Sequence, residues 1–244
     1  MVNSVLTFLS VCLITTASFA QQSFKTDTIA TDNGNLEITF IGHASLMFRY
    51  GGHVIDVDPV SREADYSKMP KADIILVTHE HPDHFDPTAI SEILKQTTIL
   101  VLTKTCAKVI PGRTVMGNGD IRTINRIKIE AVPAYNIVHK RPNGEPYHPK
   151  GRGNGYILTF GNKRVYVAGD TENIPEMKAF GKIDIAFLPM NLPYTMTPQM
   201  VADAARILKP KILYPYHYGN TDPQKLVNLL KEDHEIQVRI RKMR

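Results

Sequence analysis

Cysteine is scarce in this sequence, which contains only two among 244 residues. Cys12 lies in an apolar N-terminal segment that we expect to be removed, so the mature chain would keep Cys106 alone. One thiol cannot form an intrachain disulfide, even in an oxidising compartment. Repeats and low-complexity segments are also absent, while 43% of the residues are hydrophobic. The sequence therefore predicts one globular domain stabilised by a hydrophobic core.

No apolar run is long enough to span a membrane, which needs about 20 residues. The best candidate, residues 5–16, is uncharged but shorter. It is followed by Ser18 and Ala20, which stand at the −3 and −1 positions of a signal-peptide cleavage site. We therefore expect a signal peptide over residues 1–20, a secreted or periplasmic protein, and no membrane anchor after cleavage. An uncleaved N-terminal anchor is the alternative, since no Lys or Arg precedes the apolar run.

The formal net charge is +5, and the C-terminus contributes much of it. Residues 239–244, with the sequence RIRKMR, supply four cations. A basic tail can bind nucleic acid, but a solvated terminus after a last strand is the simpler interpretation. We therefore expect a small-molecule substrate and no nucleic-acid partner, and the oligomeric state stays open. The positive charge would steer anionic substrates toward the surface.

The most informative segment is the HEHPDH motif at residues 79–84. An apolar β run ends at Thr78, and three of the nine histidines follow within six residues. His79 and His81 are two apart, so an extended backbone points both to the same side. This density of imidazole and carboxylate suits zinc or a similar divalent ion better than it suits a solvated polar loop. The motif predicts a metal site.

One loop cannot complete such a site, because each zinc ion needs about four ligands. Three downstream residues are candidates, namely His148, Asp170 and His217. Asp170 and His217 each follow an apolar β run, where α/β sheets place functional groups. Taken alone, Asp170 could cap the next helix, and His217 could be a strand-end histidine without a ligand role. The HEHPDH motif favours the metal role for both.

The coarse pattern predicts a mixed α/β fold. After a hairpin-rich opening over 36–57, alternating and apolar runs predict strands near residues 73–78, 98–102, 114–117, 121–124, 127–133, 154–160 and 163–168. A capping residue before proline marks two helix starts, at Asp86-Pro87 and Thr197-Pro198. The second helix should stop before Pro210. A strand, a helix over 223–231 and a last strand follow.

The order of these groups resembles the metallo-β-lactamase superfamily. Further segments resemble a branch of single-domain hydrolases that also holds ascorbate-phosphate lactonase and, more distantly, N-acyl-phosphatidylethanolamine phospholipase D; these are IGHASL (41–46), DVDP (56–59), ADIILVTH (72–79), VPAYN (132–136) and YTMT (194–197). The resemblance covers about residues 36–240 and implies a four-layer αββα sandwich. It places the hydrolase domain at residues 36–244, after an N-terminal extension at residues 21–35.

The resemblance also implies the ligands of two metal ions. One ion would be bound by His79, His81 and a third histidine. The other would be bound by Asp83, His84 and His217, with Asp170 bridging the two ions. Asp83 and Asp170 are also the candidate catalytic carboxylates.

The third histidine is open between His148 and His139. In the phospholipase branch it directly follows the Pro-Ala-x segment, where this sequence has Asn136. His148 is favoured because it stands in an HPKG segment just before a predicted strand, which gives the rigidity that a ligand needs. His139 is followed by Lys140 and Arg141, whose charges would oppose a dication.

The implied cofactor is a pair of divalent ions, most simply Zn²⁺, with Mn²⁺ or Fe²⁺ as alternatives. A water shared by two ions would ionise near pH 7, and the hydroxide would attack an ester, lactone or phosphodiester. Asp58 is expected to hold a ligand histidine in its tautomer, with Asp56 as the alternative. His43 and Tyr194 are candidates for the pocket wall. For His43, a structural hydrogen bond is the favoured role, since histidine is often partly buried.

Two other functions stay open at this point. A secreted β-lactamase would agree with the signal peptide, but the surrounding motifs resemble lactonases and phosphodiesterases more closely. A metal-binding or redox protein without hydrolase activity is the other alternative, although the sequence carries nothing like a flavin domain. An RNA-processing nuclease would need a long inserted domain that this sequence does not contain.

The loop over 134–153 carries four cations, Lys140, Arg141, Lys150 and Arg152. If they face the metal site, they favour a substrate with a phosphate or carboxylate group. We therefore expect a small anionic ester, lactone or phosphodiester, with Lys150 contributing to its binding. Solvated loop charges are the alternative.

Overall fold

The computed structural model describes residues 23–244 and contains two seven-stranded sheets. In spatial order, the first sheet consists of β1 (Lys25–Thr31), β2 (Gly34–Gly42), β3 (Ser45–Tyr50), β4 (His53–Val57), β5 (Ile74–Leu76), β6 (Ile99–Leu102) and β7 (Thr114–Val115). Strands β1 to β4 pair antiparallel, and β4 to β7 pair parallel. The parallel half therefore brings several strand ends to one edge.

The second sheet repeats this arrangement. It consists of β8 (Ile121–Ile124), β9 (Ile127–Ala134), β10 (Gly153–Phe160), β11 (Lys163–Val167), β12 (Ile185–Pro189), β13 (Ile212–Tyr216) and β14 (Gln237–Val238). Strands β8 to β11 pair antiparallel, and β11 to β14 pair parallel. Both sheets thus combine an antiparallel half with a parallel half.

Three α-helices and three short 3-10 helices complete the described chain. They are α1 (Pro87–Ile93), α2 (Pro198–Leu208), α3 (Gln224–Leu229) and the 3-10 helices Tyr66–Lys68, Cys106–Lys108 and Pro175–Ala179. The predicted caps are confirmed, because the Asp86 side chain accepts from two backbone amides of α1 and the Thr197 hydroxyl accepts from one of α2. None of the helices between residues 23 and 244 has the length and apolar composition needed to cross a bilayer.

The main core lies between the two sheets and is rich in aromatic rings. Phe48 of the first sheet lies 5.6 Å from Phe160 of the second, and Phe187 stacks on Tyr214 at 4.9 Å. Strand β5 alternates between cores, since Ile74 and Leu76 join the main core while Ile75 faces the smaller core beneath α1. Helix α2 contributes to the main core as well. The four-layer αββα sandwich is confirmed.

Strand pairing begins before the position expected from the sequence. Residues 21–35 were expected to form an extension, but β1 pairs with β2 along its whole length. Asp27 of β1 accepts a hydrogen bond from the Tyr214 hydroxyl at 2.6 Å and forms an ion pair with Arg241. The C-terminus is therefore not a solvated tail, because Arg241 is tied to β1 and Met243 is fully buried. The predicted signal peptide lies outside the described residues and stays a prediction, which the mass of the exported protein would check.

Asp56 is buried in β4 without a partner. Its register neighbours Met47 and Ile75 belong to the core beneath α1, and neither carboxylate oxygen has a hydrogen-bond partner within residues 23–244. Burial raises the pKa of Asp56 to about 8, although the charge of Arg49 opposes the shift. The carboxyl is therefore protonated in the folded protein at pH 7 and ionised in the unfolded chain.

Asp56→Asn is expected to stabilise the fold by about 2 kcal/mol at pH 7.5, and by less at pH 5. Wild-type Asp56 must take up a proton on folding, and the stability lost in this way grows as pH rises from about 4 to about 8. Asparagine takes up no proton on folding, so the variant avoids this loss of stability. Its amide is also buried, which keeps the gain in the free energy of unfolding below the full cost of protonating Asp56. Urea unfolding at both pH values, with matched metal content, measures the difference. If the difference in the free energy of unfolding between variant and wild type does not change with pH, Asp56 is not protonated in the folded protein.

Candidate metal centre

The functional side chains meet where strands of both sheets end. Asp58 follows β4, the HEHPDH motif follows β5, Asp170 follows β11 and His217 follows β13. The carboxyl ends of parallel strands share one sheet edge, and this edge is where α/β folds place ligands. The two sheets bring their edges together, so residues separated by more than 130 positions converge on one point.

The first group of converging atoms belongs to His79, His81, His148 and Asp170. Nδ1 of His81 lies 3.1 Å from Nε2 of His79 and 3.2 Å from Nε2 of His148. Nε2 of His148 lies 3.1 Å from Oδ2 of Asp170. Tetrahedral zinc, with bonds of about 2.05 Å, separates its ligand atoms by about 3.3 Å. The spacing of this group matches that requirement.

The second group belongs to His43, Asp83, His84 and His217. Oδ2 of Asp83 lies 3.2 Å from Nε2 of His43 and 3.4 Å from Nε2 of His217. The His43 ring also packs on the His217 ring, with centroids 3.9 Å apart. His43 therefore lies inside the group and lines neither cavity at the metal groups, and its contact with Asp83 is the structural hydrogen bond favoured from the sequence.

Asp170 connects the two groups. Its Oδ1 lies 3.3 Å from Nε2 of His84, while its Oδ2 lies 3.5 Å from Nε2 of His217 and also faces His148. The carboxylate thus contacts histidines of both groups, which is the position that the resemblance implies for a bridging ligand. The side chain is almost completely buried, so these histidines replace the water that would otherwise solvate it.

Asp58 orients His84 from behind. Its Oδ2 accepts hydrogen bonds from Nδ1 of His84 at 2.7 Å and from the Thr78 hydroxyl, and its Oδ1 accepts from the Thr78 backbone amide. A proton on Nδ1 leaves Nε2 of His84 free to face Asp170. The alternative, Asp56, has no hydrogen-bond partner in the described chain and does not take this role.

The structure places His148 in the first group and His139 outside both groups. Asn136 holds His148 in place, since its Oδ1 accepts from the backbone N–H of His148 at 2.9 Å and from ring Nδ1 at 2.7 Å. The donated Nδ1 proton turns Nε2 toward the group. His139 instead directs Nδ1 to Glu172 at 2.7 Å. Asn136 therefore stands where the phospholipase branch has its histidine, and it orients a histidine from further along the loop.

Glu172 is a functional residue that sequence reasoning missed. Its buried carboxylate accepts from the backbone amides of Ile137, Val138 and His139, each at 2.7 Å, and from the Asn136 side chain at 3.1 Å. Burial raises the pKa of Glu172, but these hydrogen bonds outweigh burial and lower the pKa below 4.5. The ionised carboxylate fixes the loop that presents Asn136. The one available signal was its position two residues after Asp170.

The backbone is strained at the site. His43, Asp58 and His217 have φ values of 47°, 47° and 45°, a left-handed conformation that is uncommon for residues other than glycine. Gly169 has φ of 63°, and a Cβ atom there would lie 2.8 Å from the carbonyl oxygen of Asn154. Only glycine fits this position, which sets the turn that presents Asp170.

The local charges favour a cation between the groups. Burial lowers the pKa of His79, which keeps this imidazole neutral and able to coordinate. Burial raises the pKa of Asp170, but His217, His84 and His148 outweigh burial and hold the pKa well below 3.8. Burial also lowers the pKa of His84, yet Asp170 and Asp58 outweigh it and hold the pKa well above 6.5. The carboxylates that favour a proton on His84 equally favour a metal ion at Nε2.

The residues fit a metal site by a further criterion. Nε2 of His84, Oδ1 of Asp170 and Nε2 of His217 are buried without a hydrogen-bond partner in residues 23–244. Buried polar atoms left unpaired destabilise a fold by about 1–3 kcal/mol each. Their concentration at one point is explained if a metal ion coordinates them.

Two small cavities open onto the groups. The first, of about 190 Å³, borders His79, His81 and His148, and the second, of about 240 Å³, borders Asp83 and His217. Tyr194 lines the second cavity as expected, is 45% exposed and packs on Tyr147 at 5.1 Å.

The expectation that Lys150 faces the substrate is wrong. Its ammonium forms a 2.6 Å ion pair with Glu176 and lies 4.8 Å from the ring centroid of Tyr135. Lys150 lines neither cavity at the metal groups. The turn at residues 149–152 directs the Lys150 side chain toward the 3-10 helix Pro175–Ala179, which carries Glu176. No local sequence pattern indicates Glu176 as its partner.

Comparison with known proteins agrees with this geometry. The family model described as a β-lactamase superfamily domain matches residues 37–217. A UPF0173 metal-dependent hydrolase of Pelotomaculum thermopropionicum is 31% identical over 198 residues, which cover 77% of this chain and 86% of that protein.

Two solved structures extend the comparison. A Parabacteroides distasonis protein assigned as a metal-dependent hydrolase is 53% identical, with a TM-score of 0.87, and the match covers 91% of this chain and all of that one. The metallo hydrolase Igni18 of Ignicoccus hospitalis shares the fold at a TM-score of 0.68 and 22% identity, over 85% of this chain and 95% of that one. The chain therefore belongs to the metallo-β-lactamase superfamily, as one of its metal-dependent hydrolases.

Proposed function

We propose that this protein is a dinuclear metal hydrolase that cleaves an ester, lactone or phosphodiester bond in a small anionic substrate. The observation that carries the proposal is the position of Asp170, whose two oxygens face histidines of both groups at 3.1–3.5 Å. One carboxylate shared between two sets of ligands can hold two ions close together, as a two-metal hydrolytic site needs.

The donor atoms support the choice of metal. One ion would be held by His79, His81, His148 and Asp170, and the other by Asp83, His84, His217 and Asp170, with His43 beside them. Imidazole and carboxylate suit Zn²⁺ first, with Mn²⁺ and Fe²⁺ as alternatives. When bound, two such ions supply a hydroxide at neutral pH and polarise the bond under attack.

The protein's own groups then orient the reaction. Asp83 is the more exposed carboxylate, with a side chain 32% accessible, and it borders the second cavity. Burial raises the pKa of Asp83, but the adjacent imidazoles of His217 and His43 outweigh burial and lower the pKa. Asp83 therefore stays ionised, and its Oδ2 can accept a hydrogen bond from the attacking water. His43 fixes the direction of that oxygen from 3.2 Å.

Metal depletion and restoration tests the proposal. Protein stripped with a chelator and reloaded with Zn²⁺, Mn²⁺ or anaerobic Fe²⁺ would be assayed with bis-p-nitrophenyl phosphate, a homoserine lactone and nitrocefin. We expect two ions per chain by mass spectrometry, and stripping should lower turnover of the ester or lactone by at least about 100-fold. Full activity with one ion per chain would contradict the dinuclear site. Turnover of nitrocefin alone would identify a β-lactamase instead.

A further inference from the structure

The two cavities at the metal groups share lining residues from one short hairpin. Arg141 and Tyr147 line both cavities, together with His81, His148 and Asp170. We propose that Arg141, braced by Tyr147, is the residue that binds the anionic group of the substrate in the second cavity. This inference rests on the proposed function and names the group that selects its substrate.

The hairpin gives Arg141 a defined position. The backbone N–H of Arg141 donates to the carbonyl of Glu145 at 2.7 Å, and the N–H of Gly144 donates back to the carbonyl of Arg141 at 2.9 Å. A β-bridge between Lys140 and Pro146 closes the hairpin. These contacts fix the backbone of both arms of the hairpin, although residues 141–145 are exposed to solvent.

The guanidinium group is held but not neutralised. It lies over the ring of Tyr147 at 5.1 Å, and its Nη2 donates to the Tyr147 carbonyl at 3.4 Å. Tyr147 packs in turn on Tyr194. No carboxylate of residues 23–244 forms an ion pair with Arg141, so most of its five N–H donors stay available. A planar guanidinium in this state suits a carboxylate or phosphate, which it can bind with two parallel hydrogen bonds.

Two of the other three cations of the loop are already paired, and the third, Lys140, lines neither cavity. Lys150 is bound to Glu176, and Arg152 forms an ion pair with Glu80. Arg141 is also the one Lys or Arg side chain among the residues that line the second cavity. The carboxylates of that cavity, Asp83 and Asp170, belong to the metal groups, so bound ions would compensate them. An anion in the second cavity can therefore form an ion pair with Arg141, which has no carboxylate partner within residues 23–244.

The cavity dimensions restrict the substrate further. The second cavity measures about 240 Å³, which is below the 300–1,000 Å³ of most drug-sized ligand pockets. Tyr147 and Tyr194 form one wall, which favours a flat or apolar segment beside the anion. We therefore expect a substrate of few atoms, with the bond to be cleaved over the metal groups and the anion beside Arg141.

A matched substrate pair tests the role of Arg141. The 4-carboxyphenyl and 4-carbamoylphenyl esters of acetic acid and of methyl phosphate differ only by a carboxylate or a neutral amide of the same shape. In Arg141→Ala, the ratio of KM for the carboxylate to KM for the amide should rise by about 10- to 100-fold. Arg141→Lys should recover part of this loss, since it keeps the charge but not the paired hydrogen bonds.

Lys140→Ala is the control, because it removes a neighbouring charge of the same hairpin that lines neither cavity. Its KM ratio should stay within about 3-fold of wild type. Metal content and the circular dichroism spectrum verify that each variant is folded. An unchanged ratio in Arg141→Ala, or an equal rise in Lys140→Ala, would overturn the assignment.

Binding of the product separates this inference from the proposed hydrolysis. NMR titration of zinc-loaded protein with 4-hydroxybenzoate and 4-hydroxybenzamide needs no turnover. Wild type should bind the carboxylate at least about 10-fold more tightly, and Arg141→Ala should lose this preference. Absence of turnover with a preserved preference would count against the hydrolase function alone, whereas turnover without any preference would count against Arg141.

Discussion

Asp170→Ala is expected to lose both metal ions and to lower hydrolysis by at least about 1,000-fold. Asp170 faces His148 at 3.1 Å in one group and His84 at 3.3 Å in the other, so its carboxylate would serve both ions. Its removal also leaves these buried histidines without their shared anion. Metal content by mass spectrometry and turnover of the best substrate measure the two losses together.

A second buried aspartate provides the control for Asp170. Asp184 is also buried, but it precedes β12 and accepts from the backbone N–H of Arg164, at the opposite sheet edge from the metal groups. Asp184→Asn should therefore keep both ions and the wild-type turnover. Two ions and normal turnover in Asp170→Ala would refute the bridging role. Equal losses in both variants would show that the effect comes from the fold and not from the site.

His148→Ala is expected to lose one metal ion and to lower turnover by about 100- to 1,000-fold, while His139→Ala should keep both ions. The difference follows from the direction of the two rings. Nε2 of His148 converges with His81 and Asp170, whereas His139 turns Nδ1 to the carboxylate of Glu172. Metal titration followed by mass spectrometry measures the stoichiometry. Loss of an ion in His139→Ala with both ions retained in His148→Ala would exchange the two roles.

Asn136→Ala adds an internal check on the same prediction. The residue binds no metal in our proposal, but its Oδ1 accepts the Nδ1 proton of His148 at 2.7 Å. Its removal should therefore weaken one metal position by about 10- to 100-fold, which is less than the loss of the ligand itself. A variant with unchanged metal affinity would mean that Glu172 and the loop backbone are sufficient to hold His148.

Most strands of the fold are predictable from local signals, and the two strands that were missed show where such signals fail. Strand β12 (Ile185–Pro189) is buried at every residue, so it lacks the alternation that marks a half-exposed strand. Strand β1 (Lys25–Thr31) has the reverse problem, since its polar composition hides an edge strand that is fixed by pairing with β2 and by the contacts of Asp27. Both depend on neighbours that are distant in the chain.

The metal groups were predictable because most of their ligands lie in short, recognisable sequence segments. The HEHPDH motif places four of the implied ligands within six residues, and Asp170 and His217 each stand at the end of an apolar run. The supporting residues were not predictable in this way. Glu172 contacts the segment from Asn136 to His139 across more than 30 residues of sequence, and no local pattern reports such a contact.

The sequence alone thus determined the mixed α/β class, the caps of two helices and the residue types around the metal groups. These features depend on interactions within a few residues, such as side-chain capping and the alternation of a strand. Only the tertiary structure decided that His148 and not His139 joins the first group, and that Arg141 is free while Lys150 and Arg152 are paired. The physical reason is that the direction of a ring and the neutralisation of a charge depend on partners brought close by the packing of two sheets, and these partners have no fixed spacing along the chain.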